Sequence, residues 1–133
     1  MILYADGFVL GYRNPSKLGG GYTVTDTAGN VLENKTIYKE HFTNNEAELR
    51  ACLAALMLSN NRDTVIVDSK NTISWVSNPF KKKQSRHDLD DIKIQCYELL
   101  QDKSVKLVWK SRDKNKAGIF NENNGFDNID TAT

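Results

Sequence analysis

Cysteine is scarce, with only Cys52 and Cys96 among 133 residues. Each falls inside a helical apolar pattern, so both read as buried thiols of a reducing compartment, and a disulfide framework is excluded. Long apolar runs are missing as well. Nothing approaches the roughly 20 residues of a membrane-crossing helix, and Asp6 interrupts the apolar start of the chain, so we expect neither a signal peptide nor a membrane partner, and take the cytoplasm as the default location. An excess of one charge is absent too: 18 Lys and Arg against 17 Asp and Glu leave a net charge of +1. Such a balance gives no general attraction to a polyanion, and where the charges sit matters more than their sum. Histidine is limited to His41 and His87, both read as ordinary surface or loop residues. The length suits one core, here residues 1–122 as a single monomeric domain with a polar tail over 123–133.

What is present is three acids in unusual places. Asp6 interrupts Ile2-Leu3-Tyr4-Ala5-Asp6-Gly7-Phe8-Val9, a strand apolar on both sides of it. An ionised acid there costs several kcal/mol (roughly, from desolvation) unless a cation or a wet cleft compensates. Asp68 follows Thr64-Val65-Ile66-Val67, a β-branched run typical of a central strand covered on both faces, and ligands of open α/β sheets bind at that carboxyl end. Glu48 lies in a helix that Thr43-Asn44-Asn45-Glu46 opens as a capping box, with Thr43 as N-cap and Glu46 reaching back. Leu49, Leu53, Leu56 and Met57 mark the core stripe of that helix, and Glu48, Cys52 and Ala55 the stripe beside it. Glu46 therefore has a structural job, while Glu48 borders the buried face with no Lys or Arg four residues later.

The remaining pattern is three strands, the third running from Val31 to about Phe42, then the Glu48 helix and strand Thr64–Val67. A helix from about Asn71 to Val76 follows and Asn78-Pro79 stops it; the next carries Leu89, Ile92, Cys96, Leu99 and Leu100, capped by Asp88 or Ser85. Val105–Trp109 alternates as a fifth strand, and a last helix ends the order expected of a mixed sheet covered by helices. Trp75 and Trp109 stand in apolar patterns and read as core. Two basic stretches, Lys81-Lys82-Lys83 and Lys106 to Lys116, are candidate phosphate contacts.

Asp6-Gly7, Gly19-Gly20-Gly21-Tyr22, Thr43-Asn44-Asn45-Glu46-Ala47-Glu48-Leu49 and Val65-Ile66-Val67-Asp68-Ser69 together resemble, in order, the signatures of type 1 ribonuclease H. The resemblance implies an α/β fold with a five-stranded mixed sheet, three strands antiparallel and two added parallel. It implies an endonuclease that cuts the RNA strand of an RNA/DNA hybrid with two Mg²⁺ or Mn²⁺ ions, leaving 5′-phosphate and 3′-hydroxyl ends. Asp6, Glu48 and Asp68 match the metal ligands, and Gly7, Asn44, Asn45 and Lys81 to Lys83 are carried as substrate contacts. The pattern departs at the fourth acid, where Gly118 replaces the usual Asp. Glu122, one helical turn along, is the expected substitute, with Asp113, Asn121 or no fourth acid as alternatives. The loop Ser111 to Lys114 has no His, and the segment Asn78 to Asp88 is too short for the basic protrusion of some relatives. The competing expectation is a catalytically weak module that binds hybrid.

Overall fold

The computed structural model describes residues 1–11, 13–80 and 87–124. The elements run β1 (Ile2–Val9), β2 (Gly19–Thr25), β3 (Val31–Tyr38), α1 (Asn44–Leu58), β4 (Thr64–Val67), α2 (Lys70–Ser77), α3 (Asp90–Lys103), β5 (Lys106–Trp109) and α4 (Lys116–Asn123). Single 3₁₀ turns at His87–Leu89 and Arg112–Lys114 precede α3 and α4. The strands form one sheet in the order β3-β2-β1-β4-β5, with β1, β2 and β3 antiparallel and β4 and β5 added parallel. The mixed five-stranded architecture expected above is the one observed. No described helix is long and apolar enough to cross a membrane.

Side-chain alternation along β1 assigns the two faces of the sheet. Leu3, Ala5 and Val24 pack on α1, α2 and α3, with Leu49, Cys52, Leu56, Val76 and Cys96 fully buried among them. Tyr4 and Ile66 face the other way, toward Ala117 of α4. Asp6 therefore belongs to the α4 face and Gly7 to the α1 face. The turn from β2 to β3 is built by Asp26, whose Oδ1 accepts the N–H groups of Ala28 and Asn30 at 2.9 Å each. Gly29 completes it with a φ of 86°, where a side chain is disfavoured.

Helix α1 is secured at both ends. Thr43 Oγ1 accepts the N–H of Glu46 at 3.1 Å, and the buried Glu46 carboxylate pairs with Lys39 Nζ at 2.8 Å and Arg50 Nε at 2.9 Å. At the far end Lys103 of α3 donates to the carbonyls of Leu56, Met57 and Ser59, at 2.9, 3.2 and 2.8 Å. One ammonium thus serves carbonyls that the helix end leaves without intrahelical donors.

Several expectations need correction. β3 ends at Tyr38, short of Phe42, because His41 turns the chain with a left-handed φ of 56° and Phe42 keeps only an isolated bridge to Ser16. α2 gains Lys70 and Ser77, and Leu89 holds the N-cap position of α3 in place of Asp88; Ser85 lies outside the described residues. Met57 is 64% exposed. A ladder of every fourth residue drifts about 40° per step around a helix, so the stripe through Leu49 and Leu53 has rotated toward solvent by Met57. Trp75 does pack against the core, whereas Trp109 is 41% exposed at the end of an edge strand.

Replacing Lys103 with Met should leave the sheet intact and lower unfolding free energy by about 1–2 kcal/mol, the worth of charge-assisted hydrogen bonds at a half-buried site. Denaturant titration of parent and variant measures it, and an unchanged midpoint would remove Lys103 from the account of α1.

Candidate active site

The pairing of β1 with β4 stops at Tyr4–Ile66, and beyond it the edge of β1 is satisfied by side chains. Asn115 Nδ2 donates to Ala5 O at 2.9 Å, and Gly7 N donates to Glu48 Oε1 at 2.7 Å. A crevice opens there at the carboxyl ends of two parallel strands, the place where open α/β sheets bind ligands. Asp68 enters it from the end of β4 and Glu48 from α1, and the fully buried Asp6 of β1 adjoins them. Oxygens of the three carboxylates lie within 4.8 Å of one another. Asp68 is held on its own side by Trp109, whose indole Nε1 donates to the Asp68 carbonyl at 3.1 Å while Lys70 Nζ sits 4.5 Å above the ring.

Glu48 reaches this point because α1 lies directly on β1. A Cβ at position 7 would stand 2.4 Å from Ala47 C and 2.6 Å from Glu48 N, both backbone atoms, so only glycine allows the approach. Gly7 was expected to touch substrate; it lines the cleft, and it also sets the height of the helix. Burial raises the pKa of Glu48 well above the ordinary glutamate range, the charges of Asp6 and Asp68 raise it further, and the Gly7 N–H bond opposes them. Asp68 Oδ2 is buried with no hydrogen-bond donor among the described residues. Hard oxygens at this spacing, one of them without a donor, fit a divalent cation.

The α4 side is built by asparagines. Asn115 is the N-cap, its Oδ1 accepting from Ala117 N at 3.0 Å and Gly118 N at 3.2 Å while its amide holds Ala5. Gly118 faces Asp6: a Cβ there would be 3.6 Å from Asp6 Cγ, an ordinary contact, so no steric demand requires glycine. Asn121 is fully buried and donates Nδ2 to Asp6 Oδ2 at 2.8 Å. Glu122, expected as the fourth acid, is exposed and does not join the three. At about 100° per residue, Ala117, Gly118 and Asn121 share one face of α4, and Glu122 falls roughly 90° from its centre. Asp113 is turned to its own loop, accepting Ser111 Oγ at 2.6 Å, which holds its carboxyl below the usual range.

Around the acids lies a cleft of about 520 Å³, lined also by Arg13, Asn14, Asn44, Ser69 and Arg112. The backbone N–H of Asn44 is taken by Asn14 Oδ1 at 2.9 Å, and Asn45 is exposed on the first turn of α1 without lining the cleft. Lys81, Lys82 and Lys83 lie outside the described residues. The sequence reading missed Arg13 and the capping role of Asn115; a cationic residue in the loop just after the Asp6 strand was the available signal for Arg13.

The family model for RNase H matches residues 1–129. The chain belongs to the RNase H family. Among solved structures, this ribonuclease H is similar to the N-terminal RNase H domain of Rv2228c from Mycobacterium tuberculosis, at 28% identity over 87% of this chain and 90% of that one, with a TM-score of 0.64. A structure of LC11-RNase H1 in complex with RNA/DNA hybrid matches at 26% identity over 86% and 87% of the two chains, with a TM-score of 0.59. RNase H1 from the halophilic archaeon Halobacterium salinarum NRC-1 shares the fold, at 20% identity over 98% and 96%, with a TM-score of 0.64. Comparison with curated protein sequences finds no match. The family identity agrees with the resemblance carried by the motifs.

The raised pKa of Glu48 has a thermodynamic sign. A carboxyl whose folded pKa lies above its unfolded one stabilises the fold at low pH, and that contribution is lost as pH rises through the folded value. Metal-free Glu48→Gln, which keeps the acceptor for Gly7, should match the parent near about pH 4 and exceed it in Tm by about 3–5 °C near pH 8, if roughly 1 kcal/mol is relieved. Added Mn²⁺ should reverse the order by stabilising only the parent. Calorimetric scans across pH test this, and a Tm difference independent of pH would contradict the cause assigned.

Proposed function

We propose that this ribonuclease H hydrolyses the RNA strand of RNA/DNA hybrids by a two-metal-ion mechanism, with Mg²⁺ or Mn²⁺, leaving 5′-phosphate and 3′-hydroxyl ends. The observation that carries the reading is the convergence of Asp6, Glu48 and Asp68, with oxygens within 4.8 Å, where Glu48 and Asp68 line a cleft with Arg13 and Arg112 and the buried Asp6 adjoins them. Divalent cations, when bound, would activate a water and neutralise charge on the leaving oxygen. Asp6, Glu48 and Asp68 would hold them, and the chain's remaining task is to orient and bind. Gly7 keeps Glu48 in place through its N–H, and Trp109 keeps Asp68 in place through its carbonyl. Arg13 and Arg112, which line the cleft, carry guanidinium groups suited to backbone phosphates. Asn44, which lines the cleft, offers an amide for a 2′-hydroxyl, the group that separates RNA from DNA. Lys81 to Lys83 are proposed as further phosphate contacts.

A second reading, a weakly catalytic module that binds hybrid, is favoured by one observation: the position facing Asp6 on α4 is Gly118 and its neighbour there is the neutral Asn121.

Labelled hybrid, double-stranded RNA and double-stranded DNA incubated with Mg²⁺ or Mn²⁺ separate the two. Cleavage of hybrid alone, stopped by chelation and slowed roughly 100-fold or more by Asp68→Asn, supports the nuclease, since a lost ligand removes several kcal/mol of charge stabilisation. Equal rates for parent and Asp68→Asn would sink the metal reading, and tight hybrid binding without cleavage would select the module.

Two substitutions on α4 probe the fourth position. Glu122→Gln should change the metal requirement by less than about 2-fold, as expected of an exposed surface residue. Gly118→Asp adds a carboxylate where a side chain fits beside Asp6, and should lower the Mn²⁺ concentration for half-maximal rate by about 10-fold. A large effect of Glu122→Gln together with none of Gly118→Asp would mean that α4 sits otherwise on the sheet.

A further inference from the structure

We propose that Asn121 is a positioning residue for Asp6, the last link of a directed hydrogen-bond chain that begins on the outer strand of the sheet. The inference rests on the reading above that Asp6 holds a metal ion. Its frame is the strand register. Asp6 stands opposite Thr23 in the β1–β2 pair, and Thr23 stands opposite Asn34 in the β2–β3 pair, so the three form one row on the α4 face. Helix α4 lays Asn121 across that row.

The bonds run one way. Asn34 Nδ2 donates to Thr23 Oγ1 at 2.8 Å, and Thr23 Oγ1 donates to Asn121 Oδ1 at 2.5 Å. Asn121 Nδ2 then donates to Asp6 Oδ2 at 2.8 Å and to the Asp6 carbonyl at 3.3 Å. The direction is forced by chemistry. A backbone carbonyl only accepts, so the NH₂ group of Asn121 must face Asp6, and its oxygen must face Thr23. The Thr23 hydroxyl, already accepting from Asn34, gives its one proton to that oxygen. Asn121 had been considered as a neutral oxygen ligand; its oxygen is turned away from the acids.

Asp6, Thr23 and Asn121 are all fully buried, so water does not substitute for the links among these three, while Asn34 at the outer end is exposed. The amide holds the rotation of the Asp6 carboxylate and of its backbone together, and adds no charge that would compete with a cation. A lysine in its place would repel the ion, and an ionised aspartate could donate to neither the Asp6 carboxylate nor its carbonyl. Groups that orient metal ligands in this manner typically matter about 10–100-fold in metal affinity or activity.

The test is calorimetric titration of Mn²⁺ onto metal-free protein, with Tm of the metal-free forms measured beside it. Asn121→Ala should raise the Kd for Mn²⁺ by about 10–100-fold, in line with lost orienting groups elsewhere. Thr23→Val, nearly isosteric, breaks the chain without a cavity and should raise it by about 3–10-fold, while Thr23→Ser, which keeps the hydroxyl, should restore the parent value. The double variant should lose less than the product of the two single effects, because both act through one chain. Lowered Tm with a Kd for Mn²⁺ unchanged in Asn121→Ala and Thr23→Val would reduce Asn121 to a structural role and overturn the proposal. If Asn121→Ala fails to fold, the contrast of Thr23→Val with Thr23→Ser decides alone, and equal Kd values there overturn it. Failure of the parent itself to bind Mn²⁺ would sink the metal reading; tight parent binding with indifferent variants would sink only the role of Asn121.

Discussion

Helix α1 can rest on β1 only because position 7 has no side chain, and the acid site follows from that contact. With Ala47 and Glu48 backbone against the strand, the Gly7 N–H finds the Glu48 carboxylate, and the carboxylate is delivered to the open edge of β1. Any larger residue would lift the helix and take Glu48 with it. The same contact forces the energetics of the site: an acid pressed onto a strand beside two others keeps its proton more readily than a free glutamate. The fold thus accepts a local electrostatic cost to hold a constellation that a divalent cation would relieve.

The other half of the site is made differently. Where α1 meets the sheet backbone to backbone, α4 meets it through amide side chains, Asn115 on the Ala5 carbonyl and Asn121 on Asp6. Amides can give and take hydrogen bonds at once, so the short helix is both capped and docked by two residues of one type. From β5, Trp109 braces Asp68 through its indole N–H, with the Lys70 ammonium of α2 over the ring.

Much of this was legible from the residues. Asp6 and Asp68 stood out because an acid inside or just after an apolar strand needs a compensating reason, and Glu48 because it bordered a buried stripe after a capping box. The two thiols were correctly expected to be buried, as Cys52 and Cys96 are. What failed was phase. Eight residues of α4 carry too little periodicity to say which side meets the sheet, so Glu122 was preferred to Asn121, its neighbour in sequence and about 100° away on the helix. The row from Asn34 through Thr23 to Asp6 was equally hidden, since it exists only once two strand registers are set. Trp109 misled because an alternating pattern reveals a strand and says nothing of whether that strand lies at an edge.

The contrast between the two helices bears on how such a site can vary. A contact between backbones is all or none: position 7 admits one residue, and the α1 half is inherited whole or lost. A contact between side chains is graded, because Gly118 has room for a larger residue. Adaptation of this chemistry to scarce or abundant metal therefore has an open route through α4 and a closed one through α1.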